Sequence, residues 1–122
     1  GSDGILKITK DKNTYNFEYS EEYTLKYQGS ITINTKNDKE LSLSLELGLL
    51  EDETTVKLNM STEIDTTIGY DKISTNETVS LEDLSESDLM KIMESFTSNE
   101  AISQILNDTG LDEYLASGSL DA

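Results

Sequence analysis

LSLSLELGLL, residues 41–50, places leucine at Leu41, Leu43, Leu45, Leu47 and Leu49, with Ser42, Ser44, Glu46 and Gly48 between them. Strict alternation over this length is the period of a β-strand with one buried face. The same period runs outward in both directions. On the N-terminal side, Leu6 and Ile8 open a strand that ends near Lys10, and Asp11-Lys12-Asn13 reads as a turn. Tyr15, Phe17 and Tyr19 then share one face. After Ser20-Glu21-Glu22, a longer run puts Tyr23, Leu25, Tyr27, Ile31 and Ile33 in register, with Gly29 marking a bulge or bend. Lys36 to Lys39 is the clearest hairpin connection, and the leucine ladder follows it.

Beyond the ladder, Glu51-Asp52-Glu53 turns the chain into Val56, Leu58, Met60, Ile64 and Ile68, a run reaching towards Tyr70. Asp71-Lys72 leads into a further strand, Ile73 to Val79. From Leu81 the period becomes helical. Leu89, Ile92, Met93 and Phe96 fall on one face, Ser85 and Asp88 cap the start, and Leu84 with Leu89 fits a hydrophobic staple. Thr97 and Glu100 repeat the capping spacing before a second helix with inner face Ala101, Ile102, Ile105 and Leu106. Gly110 is placed for a left-handed cap with Leu111 folding back, and Asp112 to Leu115 add a further turn. The expected architecture is α+β. A curled antiparallel meander of five to six strands over about residues 5–80 precedes two to three short helices packed on one face. Residues 1–116 form the single domain, and 117–122 a flexible tail.

The leucine face needs cover. Five strands of roughly ten residues make a face of about 800 Å², of which two short helices shield only about 330 Å². Curling of the sheet is the favoured remedy. The other two are a second copy packed as a homodimer and an apolar ligand, such as a lipid or acyl chain, held between sheet and helices.

Composition excludes much chemistry. The 122 residues contain no cysteine and no histidine, and all nine basic residues are lysine. Disulfides, thiolate metal sites, Ser-His and Cys-His arrangements and bidentate arginine forks are therefore absent. No catalytic motif and no cofactor or metal site is expected. NDTGLDE, residues 107–113, lacks the spacing of a calcium loop and reads as one helix cap followed by the next. The net charge of −16 is uneven, with −2 in residues 1–50 and −14 in residues 51–122. That field repels nucleic acid and anionic lipid surfaces. No apolar run is long enough to span a membrane.

Tyr15, Phe17, Tyr19, Tyr23 and Tyr27 form the candidate partner or ligand surface, because aromatic strips on sheets stack on sugars or meet partner proteins. The plainer alternative is that tyrosine is simply a good strand residue. A GSDG start followed by a Lys/Asn/Asp/Glu/Thr-rich, cysteine-free sheet resembles the exported part of a small surface lipoprotein of an AT-rich Gram-positive bacterium. Gly1-Ser2 reads equally as a tag scar or as the tether after an anchoring cysteine. A sheet with helices across it is also similar, by analogy of fold, to bacterial lipoprotein carriers. The expected function is a non-enzymatic extracellular binding or structural module, tethered to the membrane through a removed N-terminal segment. Its partner is an unidentified protein or glycan.

Overall fold

The computed structural model describes residues 4–66 and 81–117. Five strands form one open antiparallel sheet in chain order: β1 (Gly4–Asp11), β2 (Thr14–Glu21), β3 (Thr24–Asn37), β4 (Glu40–Leu49) and β5 (Thr54–Glu63). A 3-10 turn (Leu81–Asp83) leads to α1 (Glu86–Thr97), α2 (Glu100–Thr109) and α3 (Leu111–Ser117). The α+β order and the meander agree with the alternation and its later change of period. Residues 67–80, including the strand expected at Ile73 to Val79 and the extension of β5 to Tyr70, lie outside the described residues.

The ladder is core. Leu41, Leu43, Leu45 and Leu47 are at most 1 % exposed, in one cluster with Tyr15, Phe17, Ile31 and Ile33 from the sheet. Leu89, Ile92, Phe96, Ile102, Leu106, Leu111 and Leu115 meet them from the helices. The area shortfall closes because the cover is larger than two helices. The 3-10 turn contributes Leu81, and α3 contributes Leu111, Tyr114 and Leu115. Moreover, α1 packs beside β5 and α2 beside β1, so the helix layer reaches both edges of the sheet. A single chain thus seals its own ladder.

Three local readings are corrected. First, Gly29 is not the bulge. It stays in register opposite Phe17 and Leu47, and a methyl group there would sit 2.0 Å from the Glu46 carbonyl oxygen and 2.9 Å from the Phe17 ring. Glycine is needed for close approach, not for bending. The register shift falls instead between Tyr19 and Ser20, where Tyr19 faces Tyr27 but Ser20 faces Leu25. One extra residue on β3 inverts the alternation, so Tyr23 and Leu25 leave the face that carries Tyr27. Second, α2 is capped by Asn99, whose side chain accepts from the Ile102 N–H at 3.2 Å; Thr97 closes α1 instead. Third, Ala101 is exposed and Thr109 is buried in its place, because the inner stripe of α2 runs Ile102, Ile105, Leu106, Thr109. Gly110 does take the left-handed cap, with φ of 82°, and α3 extends through Ser117.

Candidate interaction surface

The five aromatic residues singled out from sequence do not form one surface. Tyr15, Phe17 and Tyr19 are at most 3 % exposed and belong to the interior. Their period-two spacing put them on the ladder side, and the helices cover that side. The Tyr15 hydroxyl is used internally, accepting the Leu81 N–H at 2.9 Å and fastening the 3-10 turn to β2. Tyr27 is half-buried, tilted against Tyr19 with ring centroids 6.1 Å apart. Burial raises the phenol pKa of both, and the carboxylates around them, Glu21 and Asp108 foremost, raise it further. Both rings stay neutral at any ordinary pH.

Tyr23 alone is fully exposed. It sits at the tip of the β2–β3 hairpin between the paired residues Glu21 and Thr24, where Glu22 and Tyr23 have φ of 49° and 66°. Two positive φ values make this a turn of type I′, a conformation suited to Asn-Gly and costly for a bulky side chain. Nothing about stability calls for tyrosine there.

Beside it, on the side of the sheet away from the helices, lies Ile5, 67 % exposed. Ile5 faces Ser20 across the β1–β2 ladder and Lys7 faces Glu18. With Glu22 and Tyr23 these residues line a shallow groove of about 660 Å³. Lys7, Glu18 and Glu22 make no ion pair among the described residues. The groove therefore offers an apolar floor, an aromatic rim and charges of both signs that form no ion pair among the described residues. Its inventory suits non-covalent recognition.

A different kind of site lies at the opposite end of the sheet. Asp88 is 0 % exposed and accepts the backbone N–H groups of Asp65 at 2.7 Å and Thr66 at 2.9 Å, as well as the Thr66 hydroxyl. Ser85 caps α1 by accepting the Asp88 N–H at 3.2 Å, as its sequence position predicts. The reciprocal bond of a capping box is rerouted: the Ser85 N–H donates to the Thr66 hydroxyl at 3.1 Å, and the Asp88 carboxylate turns to the chain beyond β5. Burial pushes the Asp88 pKa up, but the bonds from Thr66, Asp65 and Ser85 outweigh it and hold the value down at about 2. Lys91 adds an ion pair to Asp65 at 3.5 Å. This carboxylate is shut off from solvent and accepts three hydrogen bonds from Asp65 and Thr66. It clasps the helix layer to the sheet.

The acidic segment across the junction of α2 and α3 is engaged locally. Asp108 accepts from the Gln104 amide at 2.9 Å, and the Asp112 side chain accepts from the Glu113 N–H at 2.8 Å. Among the described residues no three acidic side chains converge as a metal site, and no helix is long and apolar enough to cross a membrane. Compared with protein-family models, curated proteins and solved structures, the chain matches none.

Proposed function

We propose that the chain is a non-enzymatic binding or structural module that works outside the cell, held at the membrane through its N-terminal side. The observation that carries the binding role is Tyr23, a fully exposed aromatic kept at positive φ beside exposed Ile5. An exposed aromatic anchor ringed by polar groups is the usual core of a protein contact. The amino-acid alphabet supports the non-enzymatic part: with no histidine, cysteine or arginine, the tools left are carboxylates, lysine, tyrosine and hydroxyls. An apolar ligand between sheet and helices would have to displace side chains that already bury one another.

A photo-crosslinking amino acid at position 23, in the protein expressed from its own gene, tests the reading. Expected are a covalent adduct at that position and labelling of the protein on intact cells by a membrane-impermeant reagent. A cytosolic protein with no adduct would overturn the proposal.

A further inference from the structure

We infer that the Ile5–Tyr23 corner is a two-fold contact between copies of this chain. The inference rests on reading that corner as an interaction surface and names its occupant.

A two-fold interface has to be self-complementary: whatever projects from the patch must fit into the same patch on the other copy. This corner holds both halves. The Tyr23 ring projects fully into solvent, and the groove lined by Ile5, Lys7, Glu18 and Ser20 opens next to it. The charges are self-complementary as well. Lys7 on one copy can meet Glu18 or Glu22 on the other, and none of the three has an ion pair in its own chain among the described residues.

The net charge of −16 looks like an obstacle, but the two central rows of the bare side are balanced. Residues 81–117 hold nine acids and one lysine, a net of −8, and they lie on the ladder side. Two rows cross the bare side of the sheet: Lys7, Glu18, Gln28, Gly48, Thr55, and Thr9, Asn16, Ser30, Glu46, Lys57. Their charges are Lys7, Lys57, Glu18 and Glu46, two of each sign, while Asp11 and the facing pair Glu40 and Glu63 lie in outer rows of the same side, at the end of the sheet away from Tyr23. Copies meeting through this side keep their helix layers about 30 Å apart, given roughly 10 Å per layer. That is several times the screening length of about 8 Å in physiological salt. An approach through the helix layer would bring the acids of that layer into the contact.

Pairing edge to edge is disfavoured. Among the described strands β1 lies at an edge, but Lys10 turns to the ladder side with its ammonium 5.5 Å from the Tyr15 ring. A lysine on the inward side is a recognised guard against strand addition. The contact is face to face and small, so it is weak and exchanges readily.

Sedimentation equilibrium of the purified protein tests it, from about 10 µM to about 1 mM, the range in which weak pairs form. The mass average should climb from 13.6 kDa towards twice that value. Tyr23→Asn should remain at 13.6 kDa throughout and melt no lower than the parent, since asparagine tolerates positive φ. That separates a lost contact from a damaged fold. Lys7→Glu should also abolish pairing, and mixing it with Glu18→Lys/Glu22→Lys should restore a mixed pair. A parent that stays at 13.6 kDa at the highest concentration, or a Tyr23→Asn variant that still pairs, overturns the inference. The first outcome would return the corner to a foreign protein or a saccharide, and it would leave the adduct and surface-labelling results of the crosslinking experiment untouched.

Discussion

Ser44 and Leu45 are neighbours in β4, yet one stands on the bare side of the sheet and the other is 1 % exposed beneath the helices. The contrast runs from Leu41 to Leu47 and is repeated in β2 at Tyr15, Phe17 and Tyr19, while the ladder-side positions of the outer strands β1 and β5 are only half-buried. On the ladder side, Leu41, Leu43, Leu45 and Leu47 belong to one buried cluster with aromatic rings of β2 and apolar residues of the helices. On the other side, Thr14 and Thr32 share a hydroxyl contact at 3.1 Å and Lys57 approaches Glu46 at 3.9 Å. Stability is therefore concentrated on one face, and the other is free to carry recognition. The exception on the bare face is the Ile5–Tyr23 corner, where apolar surface is kept exposed and a turn is held in a conformation its residues do not favour.

The largest test of this division is Leu45→Ala. It should cost about 2–5 kcal/mol in urea melts, as a buried leucine loses its transfer energy and leaves a cavity. A loss below about 1 kcal/mol would mean that the helices do not close the ladder side in solution.

Asp88→Asn should come next, at about 2–4 kcal/mol, because an amide cannot satisfy the two N–H groups and the hydroxyl that now point at a carboxylate. It also carries a pH signature. The folded pKa of about 2 lies below the ordinary 3.8, so the stabilisation is complete above about pH 4 and drains away as pH falls towards 2. Acid titration of thermal stability should show that loss in the parent and a shallower slope in Asp88→Asn. Equal slopes would show that the clasp does not hold the helix layer to the sheet.

On the bare face the effects shrink and one changes sign. Tyr23→Asn should stabilise the monomer by about 0.5–1 kcal/mol, since asparagine takes positive φ more readily than tyrosine. A destabilisation would mean the ring makes a contact that keeps it in place. Ser44→Ala should change stability by less than about 0.5 kcal/mol. A large loss there, with none at Leu45, would reverse the two faces. Smallest of all is the response to calcium. Millimolar calcium should move the melting temperature only as far as magnesium does, by general screening. A calcium-selective rise would reveal a site among the acids that local hydrogen bonds do not account for.

Much of this was written in local order along the chain. Strand, hairpin and cap signals at Leu41 to Leu49, at Lys36 to Lys39, at Ser85 and at Gly110 all act within a few residues, so a linear reading reaches them. The aromatic strip was misread because period two says which residues share a face, not which face the helices will choose. Once α1 to α3 settle on the ladder side, Tyr15, Phe17 and Tyr19 become interior. Tyr23 escapes by the extra residue on β3, and no local composition marks that shift.

What the sequence by itself determined is the alternation, the change of period at Leu81, the caps and the poverty of catalytic side chains. Tertiary structure alone decided three further things. It rerouted the Asp88 carboxylate to N–H groups 22 and 23 residues away, it extended the cover with the 3-10 turn and α3, and it left Ile5 beside Tyr23. The physical reason is range. Dihedral preference and periodicity are properties of neighbours along the chain, whereas burial, carboxylate partners and the company an exposed aromatic keeps depend on which distant segments packing brings together.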